Sequence, residues 1–325
     1  MASKIGEAYI EVRTNQAKFS KELKGMERTV KSSTDRMKKN FDRIGKGVSV
    51  MSRAARLGFI AVAAAITGTV YAAAKYEKQM ATVSTMLSRK SMPIMDKYKD
   101  LVGKMGIIFG ESTETLSKGL YDILSASIAP EKALKVLAIS AKAAAAGLTD
   151  TGVAADAITT IINSYGYAAE DAGKISDILF AIVKKGKTTF AELAPSIGKV
   201  AATAAIAGVS LEELGATLAT ITRAGIRTEE ATTAMNGILR AFLKPTDDAA
   251  KAAKEFGFEL NTNTLRTIGL RGVLELLTDA TAEQTAEMFP NIRGLKGIAA
   301  AMQDLEGYTE DYKLMLESAG LTQEA

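Results

Sequence analysis

The sequence has 325 residues, with 41 Lys and Arg against 37 Asp and Glu for a net charge of +4, and it contains neither Cys nor His. Without those two residue types a Ser–His–Asp triad, a Cys nucleophile, His- or Cys-ligated zinc and a disulfide framework are all excluded within this chain. Trp is absent, Pro numbers five and strand-forming runs are almost missing, so the expected fold is all-α, as one large domain or two smaller ones with extensions.

Charge is unevenly placed. Residues 1–56 hold 14 Lys and Arg against 6 Asp and Glu, a net of +8, so the remainder is acidic at −4. Ile5 to Val12 alternates weakly and reads as a short strand. After Thr14 the spacing turns helical: Phe19, Leu23, Met26, Val30, Ser33 and Met37 step by four and three, and Phe41, Ile44, Val48 and Met51 resume the pattern. The join at Met37–Phe41 adds a second consecutive step of four, the mark of a stutter in a heptad repeat. One such stripe cannot bury itself. Residues 1–56 therefore read as a basic amphipathic coiled-coil arm, with self-association the favoured partner and packing on the chain's own domain the alternative. The arm lacks interleaved aromatics and a reading motif, so no sequence-specific nucleic acid is expected.

Leu57–Ala74 carries no charge over eighteen residues, a helix of about 27 Å at about 1.5 Å per residue, near the thickness of a bilayer core. Seven of the eighteen are alanine, which contributes little to insertion. Leu57, Phe59, Ile60, Ile66 and Val70 supply most of its bulk, while Ala64, Gly68 and Ala72 fall four apart on one face and favour close helix contact. Three readings stand: a helix inside a self-assembled bundle, a conditional transmembrane helix, or a core helix. The segment begins too late in the chain to be a signal peptide.

From 75 to 302 the chain reads as an Ala-rich bundle of helical hairpins. Glycine stops at Gly147, Gly166, Gly186, Gly208 and Gly225 lie near twenty residues apart, each taken as a left-handed helix end; at all but Gly166 a Ser or Thr cap follows, usually after an apolar residue. Thr189…Glu192 and Ser210…Glu213 have capping-box spacing. Core stripes are expected at Leu134, Leu137, Ala138 and Ala141; Ile158, Ile161 and Ile162; Ile175, Ile178, Leu179 and Ile182; and Leu211, Leu214, Leu218 and Ile221. Phe256 to Thr264 reads as a small turn or hairpin. Residues 303–325 read as the start of a further helical region: Gly320-Leu321-Thr322 announces a helix, and the chain ends three residues later, as an interrupted sequence would.

No chemistry stands out. The carboxylate pairs Glu212/Glu213, Glu229/Glu230 and Asp247/Asp248 sit in first helical turns, where the helix dipole favours negative charge. Adjacent helical residues diverge and do not converge on one substrate. Gly103, Gly106 and Gly110 lack a Walker lysine. No catalytic residue, metal or cofactor is expected.

The order of these pieces resembles the phage tail tape measure proteins. Tyr76-Glu77-Lys78-Gln79-Met80-Ala81-Thr82-Val83 is similar to the family's entry into its core. Ala138 to Ser164 resembles its Ala-rich helix, glycine stop and Ala-Asp helix. Ala207 to Leu243 carries its Gly-Val-Ser-x-Glu-Glu-Leu and Ala-Gly-Ile turns, and Asp177-Ile178-Leu179 and Pro245 fall where its pattern places them. The resemblance covers Tyr76–Met302 and implies a scaffold that sets tail length inside the tube, then leaves ahead of DNA and helps open a passage through the host membrane. The implied partners are copies of itself, the tail tube protein, tail assembly chaperones, tail tip or baseplate proteins and the host membrane. The implied locations are the virion tail lumen, the host cytoplasm during assembly and the host membrane during ejection. A helical pore-forming toxin is the alternative. Fully extended as helix, 325 residues reach only about 490 Å. That is short for a ruler, and implies an amino-terminal portion, a truncated prophage copy or a ruler divided between chains.

Overall fold

Apolar side chains at helical spacing fold residues 72–324, the part described by the computed structural model, into helix after helix, and no strand occurs among the described residues. The chain divides into units Met1–Lys78 and Gln79–Ala325. The proposed coiled-coil arm and the short strand lie outside the described residues, as do Leu57, Phe59, Ile60, Ala64, Ile66, Gly68 and Val70.

The transmembrane helix is corrected. Among the described residues no helix is long and apolar enough to cross a membrane. Of Leu57–Ala74 only residues 72–74 are described. They lie on helix α1 (72–84), where Ala72 is exposed, and that helix goes straight on through Lys75, Glu77 and Lys78. Charge enters it within a turn, and each such residue opposes insertion at mid-bilayer by about 3 kcal/mol.

Beyond α1 the helices are α2 (Met95–Phe109), α3 (Thr113–Ser125), α4 (Pro130–Ala146), α5 (Thr151–Tyr165), α6 (Ala172–Lys185), α7 (Phe190–Ala207) and α8 (Leu211–Arg223). There follow α9 (Thr228–Leu243), α10 (Asp247–Glu255), α11 (Thr262–Leu276), α12 (Ala282–Met288), α13 (Ile292–Gln303), α14 (Leu305–Leu316) and α15 (Leu321–Glu324). Neighbours such as α4 and α5 do pack as a pair. Alternate helices, however, build two layers: α3, α5, α7, α9 and α13 in one, and α2, α4, α6, α8 and α14 in the other. From α4 to α9 each helix rests on the one two places back, whereas α13 lies on α9 and α14 on α8, so the hairpins are stacked, not closed on themselves.

The expected stripes form the seam between these layers. Leu134, Leu137, Ala141, Ile158, Ile161, Ile162, Ile175, Ile178, Leu179, Ile182, Leu211, Leu214, Leu218 and Ile221 are all buried, and Ala138 is half-buried. Burying each of the larger ones contributes about 1.5–3 kcal/mol.

The glycine stops split into two kinds. Gly166, Gly208 and Gly225 take the left-handed conformation as expected; after Gly208 the Val209 N–H reaches back to Ala204 O at 3.0 Å and its side chain is buried. Gly147 and Gly186 have φ of −91° and −89°, and Leu148 takes the positive φ instead. These two are glycine for want of space. A Cβ at 147 would lie 2.7 Å from the Cβ of Phe190, and one at 186 would lie 2.5 Å from Thr222 Oγ1.

Caps decide the helix starts. Thr189 Oγ1 and Ser210 Oγ accept the N–H of Glu192 and Glu213 at 3.2 and 3.1 Å. The return halves of those capping boxes do not form, because the Glu192 carboxylate faces Thr228 and that of Glu213 reaches α11. A complete box forms at Thr281…Gln284. Phe256 to Asn261 is a turn that leads into α11.

Candidate functional site

Helix α8 is the centre of the unit, buried at every position from Leu211 to Thr222. One face is apolar: Ile221 lies beside Ile238 of α9, close to where Gly297 of α13 packs on Ala234. The other face is a polar stripe, Glu213, Thr217, Thr220 and Arg223, at steps of four, three and three that keep the residues on one side of a helix. Helix α14 sets a matching stripe against it.

Each stripe residue has a partner. The Glu213 carboxylate accepts the N–H of Leu270 and, at 3.2 Å, that of Arg271. Gly269, at φ 69° and ψ 176°, interrupts α11, so residue 213 caps the helical stretch that restarts at Leu270 from 57 residues away. Thr217 Oγ1 donates to Glu213 O at 2.8 Å, with the Tyr308 hydroxyl 3.4 Å away. Thr220 Oγ1 donates to Asp311 Oδ2 at 3.1 Å. Arg223 Nη1 donates to the same Asp311 oxygen at 2.7 Å and to Lys185 O, at the end of α6, at 3.1 Å. Its Nη2 and Nε donate to Asp304 Oδ2 at 2.7 and 3.1 Å. One guanidinium thereby ties the α6 terminus, the α13–α14 joint and the middle of α14 to α8.

Like Glu213, a second acid caps a helix distant in sequence. Asp177 on α6 accepts the N–H of Gly320 at 2.7 Å and of Thr322 at 2.9 Å, capping α15 across 143 residues, while Ser176 and Thr322 share a hydroxyl contact of 3.2 Å. Asp177→Ala is expected to lower stability by about 2 kcal/mol, since two amide donors at a largely buried helix start lose their acceptor. Urea denaturation checks this, and Asp177→Asn should recover about half.

Burial raises the Glu213 carboxyl above the ordinary carboxylate range, against the opposing pull of the Arg271 and Leu270 amides. Asp311 is raised too, by burial, with Arg223 and Thr220 opposing. Burial also raises the Tyr308 hydroxyl, well above its ordinary value. A carboxyl whose folded pKa is raised holds its proton more tightly when folded. Its contribution is fully present below the ordinary carboxylate pKa and is lost as pH rises through the folded value. Thermal unfolding between about pH 4 and about pH 7 is thus expected to show a higher midpoint at the acid end, and Glu213→Gln should flatten that slope.

Of the paired acids, Glu212 and Glu213 are both buried, and they diverge: Glu212 pairs with Lys174 at 2.6 Å, Glu213 with α11. Glu229, exposed, pairs with Lys199 at 2.6 Å. Among the described residues no group of three or more acids is placed to hold a metal ion. An open depression of about 520 Å³ lies beside Phe258 and Ile268, with Lys254, Asn263 and Thr267 on its rim. Ile107 and Ile108, at the end of α2, are 86% and 71% exposed, and Leu148 is 93% exposed. The proposed self-association residues, Phe19, Leu23, Met26, Val30, Met37, Phe41, Ile44, Val48 and Met51, all lie outside the described residues.

The sequence reading missed Arg223 and Asp311, and quoted Asp177 without a role. A Thr-x-x-Gln spacing could have found the box at Thr281, but nothing local marks an acid that caps a distant helix.

The family described as phage-related minor tail protein matches residues 99–305, from within α2 to the first residue of α14. The chain is 27% identical over 346 aligned positions to the probable tape measure protein of Clostridium phage phiCD119, covering 99% of this chain and 36% of that protein. It is 23% identical over 244 positions to the tape measure protein of Pneumococcus phage Dp-1, covering 75% of this chain and 21% of that one. The chain thus spans little more than a third of the length of the first of these relatives and about a fifth of the second. No solved structure matches it. The resemblance read from Tyr76–Met302 is borne out.

Proposed function

This chain belongs to the phage-related minor tail protein family, and we propose that it acts in the tail as a tape measure, a non-enzymatic scaffold that sets tail length while tube subunits assemble around it. The match over residues 99–305 carries this reading, supported by the two tape measure relatives. Its proposed partners are tail tube, tail tip or baseplate and chaperone proteins, and other copies of itself through the 1–56 arm; its proposed places are the assembling tail in the host and the finished virion. The membrane-crossing helix forms no part of the proposal, and the pore-forming alternative is not retained.

Deleting the gene from the phage that encodes the chain tests it by electron microscopy of lysates. The expected result is loss of tails of uniform length, with restoration when the gene is supplied in trans. Normal tails of unchanged length without it would overturn the assignment.

A further inference from the structure

The two sides of α8 are held in different ways. Toward α9 and α13 it buries Ile221 against aliphatic neighbours. Toward segment 305–324 it presents Glu213, Thr217, Thr220 and Arg223, and α6 adds Asp177 and Ser176. Apolar surface on this side comes from the fully buried Tyr308 ring and from Met315, whose sulfur lies close to Gly215.

We infer that segment 305–324 is a strap that leaves and re-seats on the α6–α8 face as one unit, together with the stretch Leu270–Leu276, while the two-layer stack beneath stays closed. Polar bonds exchanged for water on opening return little net free energy each, about 1 kcal/mol, whereas opening an apolar seam exposes its whole area. Elements held in the first way open locally, ahead of the remainder. The joints match: the strap begins at Asp304, where one residue separates α13 from α14, and the held stretch of α11 begins at the break at Gly269.

The groups that face the seam set the direction of control. Glu213 meets Arg271 of α11, Tyr308 and Tyr312 of α14 and Tyr165 at the end of α5, with Glu212 and Lys174 alongside. Asp311 meets Arg223 of α8 and Lys185 of α6, with Asp304 on the same guanidinium. Helices α9 and α13 bring Ala234, Ile238 and Gly297 to the opposite face. Opening returns both buried carboxyls to water, so the seated strap holds their protons more tightly. It is favoured in mild acid and loosens as pH rises through the raised values.

Hydrogen exchange of the full chain, read by mass spectrometry and corrected for intrinsic rates, tests this between about pH 5 and about pH 8. The expected result is that 305–324 and 270–276 lose protection together, by about tenfold or more relative to α4, α5 and α7 for each unit of raised pKa. Glu213→Gln combined with Asp311→Asn keeps the acceptor oxygens and removes both charges, and should leave the strap equally protected at both pH values. Exchange of 305–324 in step with α4, α5 and α7 throughout would overturn the proposal, as would a pH response that survives in the double variant. Should that variant fail to fold, the wild-type series decides alone: early joint exchange carries the proposal and exchange in step sinks it.

Discussion

Arg223→Ala is expected to lower the unfolding free energy by about 3 kcal/mol, at the low end of what breaking a buried ion pair costs. The Asp311 side chain is 2% exposed and would be left with Thr220 as its remaining hydrogen-bond partner, so its charge is uncompensated or is quenched by taking up a proton, while Lys185 O would lose a donor. Asp304 moderates the loss, because its side chain is 44% exposed and water can replace the guanidinium there. Two controls separate the contributions in urea denaturation. Asp304→Asn should cost under about 1 kcal/mol, since the amide oxygen still caps Gly307 and an exposed pair contributes little. Arg223→Met with Asp311→Leu should recover most of the loss, as apolar replacements of buried pairs do. Equal losses for Arg223→Ala and Asp304→Asn would show that the buried carboxylate is not what the guanidinium serves.

Gly237→Ala is the second large effect expected, at about 3 kcal/mol, the upper end for overpacking. The methyl group would lie 2.8 Å from the backbone nitrogen of Gly294 and 2.9 Å from its Cα, where α9 crosses α13. Backbone cannot turn aside as a side chain can, so the two helices must part, and Gly297, packed on Ala234 one turn on, would be pulled with them. Gly103→Ala on α2 is the control: nothing lies within 4 Å of its added methyl. It should stabilise by about 0.5–1 kcal/mol through helix propensity alone. Thermal unfolding of the pair gives shifts of opposite sign if close approach, and not glycine content, sets the cost.

What local pattern controls was legible. The all-α class and the buried stripes follow from spacing alone, and so do the caps at Thr189 and Ser210, because the residues that satisfy them lie within one turn. What depends on distant partners was not. Glu213 has capping-box spacing from Ser210, yet its carboxylate is drawn to the amides freed by the break at Gly269, a demand that arises only once α11 is docked. Gly147 and Gly186 look like any other helix stop, and their reason is Phe190 and Thr222, brought there by packing. Gly294 and Gly237 meet where α13 crosses α9, yet each sits in a run of sequence that looks like any other helix. The candidate seam was the least legible part, since Arg223 and Asp311 are ordinary surface types until α14 lies down on α8.

The alternate layering has a mechanical corollary. From α4 to α9, where each helix rests on the one two places earlier, tension applied along the backbone crosses many modest joints in series, not a single block that yields all at once. Such an arrangement lengthens in increments, a couple of helices per event, and the work is spread over the whole travel. A force trace of the pulled chain should accordingly be a run of low teeth and not one tall peak.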